Sequence, residues 1–147
     1  MEAKFPKLHA GNYQICSPKN PRYNCIAYAN GDERHWWEHP TDAGYGGRYY
    51  WPPNIANTLE GWAAIFVAQG YETTNNYGIE AGFEKVAIYV DLVDLSPSHV
   101  AKSDGHVWKS KLGGGYDIEH HSLDLLEGDQ QDEYGIVGQV LKKATVQ

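Results

Sequence analysis

The residue that could do the most chemistry is Cys25, in the run Tyr23-Asn24-Cys25-Ile26-Ala27-Tyr28-Ala29-Asn30. A loop turns into a helix here. Asn24 is a suitable N-cap, because its side chain can accept a hydrogen bond from a first-turn amide. Cys25 is then the first helical residue, with its sulfur at the positive end of the peptide dipoles, which favours a thiolate. A thiolate nucleophile needs an imidazole within hydrogen-bond reach and a third group to orient the ring. His99, on a predicted strand, is the candidate base. Asp117 or Glu119 is the candidate orienting acid, and the residues do not choose between them. Asn24 and Ser110 are candidates for supporting roles, Asn24 near an oxyanion and Ser110 beside the histidine. In this arrangement Cys25 should be alkylated faster at pH 6 than Cys16, which sits in a proline-bounded turn.

The elements that must position these groups follow from pattern. Residues 1–22 read as an irregular lead-in punctuated by Pro6, Gly11, Pro18 and Pro21, and residues 23–143 as the core of a single domain spanning 1–147. A helix is expected from Cys25 to about Trp37, with Pro40 as its limit. Residues 40–54 form a glycine-rich loop bearing Tyr45, Tyr49, Tyr50 and Trp51. Tyr49 and Trp51, with Trp108, are candidates for a pocket wall. The helical period of Ile55, Leu59, Trp62, Ala63, Phe66 and Val67 predicts a second helix from Asn54 or Ile55 to Gln69.

After Gly82 the period changes to two. Strands are expected at 85–90, 98–103 and 106–111, the last two joined by the hairpin dipeptide Asp104-Gly105. A two-residue turn there would set Ala101 opposite Trp108 and His99 opposite Ser110. Alternation then puts His99, Ala101, Trp108 and Ser110 on one face, expected to be the face under the helices. Gly113-Gly114-Gly115 breaks the sheet. Residues 117–121, a short helix after Ser122 and an apolar strand near 134–142 complete the chain. Helices followed by a mostly antiparallel sheet predict an α+β fold.

The formal charge of −7 argues against a nucleic-acid backbone or an anionic membrane as partner. No apolar run is long enough to span a bilayer, and Met1-Glu2-Ala3-Lys4 does not begin a signal peptide. Two cysteines, Cys16 and Cys25, do not make a secreted disulfide framework, so both should be free thiols and a cytoplasmic location is expected. His35-Trp36-Trp37-Glu38-His39 matches the H-x-x-E-H zinc pattern. Pro40 opposes a helix at the second histidine, and no metal or other cofactor is expected.

Asn24-Cys25-Ile26-Ala27-Tyr28-Ala29, Ser98-His99-Val100-Ala101, Trp108-Lys109-Ser110-Lys111-Leu112-Gly113 and Asp117-Ile118-Glu119-His120 resemble a bacterial domain family of unknown function over about residues 20–142. The order of cysteine, histidine and acid also resembles the papain-like cysteine hydrolases. That resemblance implies a papain-like core with N-terminal helices on the sheet, and a Cys25–His99–acid site acting on an amide or peptide-type bond. Lys19 stands where papain-like enzymes carry an oxyanion glutamine. The alternative is an inactive module that binds a protein or peptide through its Tyr/Trp-rich loop. Oligomeric state has no signal in the sequence.

Overall fold

A computed structural model describes residues 5–39, 50–112, 115–128 and 134–145. Its centre is one seven-stranded sheet with the order β1-β6-β5-β4-β3-β7-β2. The strands are β1 (Tyr13–Ser17), β2 (Glu72–Thr74), β3 (Phe83–Val90), β4 (Pro97–Ser103), β5 (Trp108–Lys111), β6 (Asp117–His120) and β7 (Ile136–Ala144). All their pairings are antiparallel. Two short helices, α1 (Cys25–Ala29) and α2 (Leu59–Val67), and a 3-10 turn at Leu123–Leu126 accompany the sheet. This overturns the expected α+β, papain-like core with N-terminal helices: the architecture is a mainly antiparallel β-sheet with two small helices.

The helices are shorter than periodicity predicts, for local reasons. Asn24 does cap α1, accepting from the Ala27 amide at 3.3 Å. The helix then stops at Ala29, because Asn30 turns its side-chain amide back onto the Ile26 carbonyl at 2.8 Å and Gly31 takes φ +78°. Asp32 next gathers the amides of Arg34 and His35 at 2.8 and 3.1 Å, which holds a turn where more helix was expected. In α2, Asn54 adopts φ +63°, incompatible with a helix start, and the N-cap is Thr58, whose hydroxyl accepts from Gly61 at 3.0 Å. Replacing Asn24 by alanine also loses its bonds to Trp37. Asn24→Ala is therefore expected to lower stability by about 1–2 kcal/mol, checked by urea denaturation.

The β4–β5 hairpin differs from expectation by two residues. Lys102 pairs with Lys109 and Ser103 with Trp108, so the turn holds four residues, not two. Asp104 accepts from the amides of His106 and Val107, and Gly105 sits at φ +100°. An even shift leaves the facing of every side chain unchanged. His99, Ala101, Trp108 and Ser110 do share a face, but it is not the face under the helices. Ala87, Tyr89, Ala101, Trp108, Ile118 and Val140 pack with Phe5 and Leu8 of the lead-in and with Leu123, Leu125 and Leu126. Val86, Ile88, Val100 and Leu141, on the opposite face, pack with Cys25, Ile26, Trp62, Ile65 and Phe66 of the helices.

Candidate functional site

The cleft on the helical face is built where α1, the 37–39 segment, Trp51 and α2 meet the start of β4. It has a volume of about 210 Å³ and is lined by Asn24, Cys25, Trp37, Glu38, His39, Trp51, Asn57, Trp62, Pro97 and Ser98, among others. Extended backbone, not helix, carries residues 36–38: the Glu38 amide donates to the Tyr50 carbonyl and the Tyr50 amide to Trp36, at 2.9 and 3.1 Å. Asn24 fastens this segment to α1. Its amide nitrogen donates to the Trp37 carbonyl at 2.7 Å, and its oxygen accepts from the Trp37 amide at 3.3 Å. Sequence reasoning picked out Trp51 here and missed Trp37 and Trp62. The only available signal was density of tryptophan on both sides of the glycine-rich loop.

Cys25 is on the wall of this cleft but only 8% exposed. Burial pushes its thiol up to about 11, although the backbone amides of Val100, Ile26 and Cys25 and the charge of Lys111 pull the other way. One turn and a half of helix supplies too little dipole to compensate for desolvation. Cys25 is therefore a neutral thiol at pH 7. Cys16 and Cys25 are both free, Cys16 exposed on β1.

The sheet separates His99 from Cys25. His99 neighbours Val100 on β4 and so points the other way, into the Trp108 side of the core, where it is fully buried. Its Nε2 lies 2.9 Å from Ser110 Oγ, and Ser110 Oγ lies 2.8 Å from His120 Nε2. The His120 Nδ1 is 3.0 Å from the Ser122 carbonyl. A carbonyl only accepts, so His120 carries its proton on Nδ1, Ser110 donates to His120 Nε2, and His99 donates from Nε2 to Ser110. That leaves His99 Nδ1 a lone pair with no hydrogen-bond partner among the described residues. The ring stacks on Tyr134 at 4.0 Å and 3° and meets Tyr89 edge-on at 5.3 Å. Burial lowers His99 well below the ordinary histidine value and His120 to about 4. Both rings are neutral.

Neither acid orients His99. Asp117 and Glu119 flank Ile118, which packs on the histidine's face, so both carboxylates point to the other side. Asp117 is 5% exposed and stands opposite Lys111, whose ammonium donates to the Asn20 carbonyl at 2.7 Å and lies 4.6 Å from the Tyr23 ring. Ser110 is the direct partner of His99. His120 was missed as the end of this chain, although parity from Ile118 could have placed it. Trp108 is 1% exposed in the core on the far side from the cleft, and so does not wall it. Tyr49 lies outside the described residues.

The H-x-x-E-H run is not helical. His35 Nδ1 pairs with Asp32 at 3.0 Å, while His39 meets Trp51 edge-on at 5.8 Å. Among the described residues no three histidine, cysteine or acidic side chains cluster to hold a metal. No helix among them is long and apolar enough to cross a membrane.

The fold and cleft define a mainly β domain with a tryptophan-walled pocket on the helix-bearing side of one antiparallel sheet. The chain belongs to the family described as a domain of unknown function, DUF7689, which it matches over residues 14–142. No curated protein and no solved structure matches it.

Proposed function

We propose that this domain is a binding module that takes an extended peptide or protein segment into the Trp37–Trp51–Trp62 cleft, without covalent chemistry at Cys25. The observation that carries this reading is the orientation of the three indoles. Trp37 Nε1 donates to Asp32 at 2.9 Å, Trp51 Nε1 to the Ile55 carbonyl at 2.8 Å and Trp62 Nε1 to Asn57 at 2.8 Å. With these indole N–H groups satisfied inside the protein, the part of the half-buried Trp37 and Trp51 rings that lines the cleft is left for a ligand, and the buried Trp62 backs Trp51. Aromatic side chains held this way give large contact area at little conformational cost. A thiol hydrolase finds less support, since Cys25 is protonated and His99 is across the sheet.

Titration of a peptide library, read by tryptophan fluorescence and by indole resonances, tests the reading. Trp51→Ala is expected to weaken binding about tenfold or more, while Cys25→Ser leaves it within about twofold. Peptide cleavage that disappears in Cys25→Ser would overturn it.

A further inference from the structure

The geometry points to a cationic side chain, lysine or arginine, as the group of the peptide that enters this cleft; the inference rests on the binding reading above. The walls decide the chemistry. The half-buried Trp37 and Trp51 contribute ring surface to the cleft wall, and an aromatic face carries the negative side of the ring quadrupole. Trp51 packs against the buried Trp62, centroids 6.2 Å apart at 51°, which fixes the Trp51 ring in the cleft wall.

The charged groups point the same way. No lysine or arginine is among the lining residues described, and Glu38 is the lining carboxylate. Two of the lining donors are turned inward, the Asn24 amide being committed to the Trp37 carbonyl. The Ser98 hydroxyl donates to the Tyr134 carbonyl at 2.7 Å. The formal charge of −7 adds a long-range field that concentrates cations. A volume of about 210 Å³ admits one long side chain but no folded element. Elsewhere the same chain covers its own aromatic rings with lysines: Lys102 Nζ is 4.1 Å from the Tyr28 ring.

The test uses the full chain and blocked tripeptides Gly-Lys-Gly, Gly-Arg-Gly, Gly-norleucine-Gly and Gly-Glu-Gly, with butylammonium as a free cation. Norleucine keeps the length of lysine and removes the charge. Indole resonances of Trp51 and Trp62 report occupancy. The two basic tripeptides are expected to bind about tenfold tighter than the norleucine one, and the glutamate one weakest. Glu38→Gln should reduce lysine affinity about fivefold and leave norleucine affinity unchanged, a split that general loss of folding does not produce. Equal affinity for lysine and norleucine overturns the cation assignment while leaving a peptide-binding cleft. Butylammonium binding as tightly as the lysine tripeptide overturns the peptide source in favour of a small organic cation. No response to any probe overturns both this inference and the binding reading.

Discussion

Unfolding free energy, measured by urea titration, is expected to fall by roughly 3 kcal/mol or more as pH is lowered from about 6.5 towards 4. The cause is the buried chain His99–Ser110–His120. His120 titrates at about 4 when folded and at the ordinary histidine value near 6.5 when unfolded, because burial opposes its charged form. Above 6.5 the ring is neutral in both states and the full stability is present. Between 6.5 and 4 only the unfolded chain takes up the proton, so stability falls with pH. Below about 4 both states are protonated at this site and the loss levels off. His99 shifts in the same direction for the same reason, with the charge of His120 adding to it. Among the described residues no acceptor faces its Nδ1 if a proton arrives. Hydrogen bonds lower the carboxylates of Asp32, Glu80, Asp94 and Asp104, so the stability they add is lost only as pH falls through the ordinary carboxylate range, at the foot of this window. The acid limb from 6.5 to 4.5 therefore belongs to the histidines. His99→Gln keeps a donor for Ser110 but does not titrate. It should make that limb shallower by the share of His99 and leave the share of His120, while lowering stability at pH 7.5 through loss of the stack on Tyr134. A His99→Gln curve parallel to that of the unsubstituted protein would refute this account.

Alkylation by iodoacetamide is expected to reverse the order that a helix-start cysteine suggests. Cys25 should react with a midpoint near 11 and, at pH 7, roughly 100-fold or more slowly than a free cysteine of pKa about 8.5. Cys16, exposed on the edge strand β1, should be the faster site, although burial and the charges of Glu119 and Asp117 raise it above its ordinary value. Peptide mass spectrometry across pH 6–11 separates the two cysteines, and the midpoint of each profile carries the result, since burial slows labelling at any pKa. His99→Ala should leave the Cys25 midpoint unchanged, because the sheet lies between them. A midpoint at or below 8.5 that rises in His99→Ala would restore the thiolate and overturn the preference for a binding module.

What the sequence alone determined is local or parity-bound. Asn24 caps α1, because capping depends on a few neighbouring atoms. The period-two runs expected at 85–90, 98–103 and 106–111 are strands over Phe83–Val90, Pro97–Ser103 and Trp108–Lys111, and His99 shares a face with Ala101, Trp108 and Ser110. That grouping survived a wrong hairpin register because the error was two residues, and only an odd slip exchanges faces.

The tertiary structure alone decided which face met the helices. Period two divides a strand into two sets but does not label them. Both sets of β4 are apolar enough to be buried, Val100 on one side and Ala101 on the other, and both are covered here. Long-range packing resolved the choice: α1 and α2 bury Val86, Ile88, Val100 and Leu141. Phe5, Leu8 and the Leu123–Leu126 turn take the opposite side. With that choice Cys25 and His99 came to lie on opposite sides of one sheet. The cleft depends on the same packing. Trp37, Trp51 and Trp62 lie far apart in sequence, and no short-range pattern records that an asparagine cap and a bridge between residues 37 and 50 bring them together.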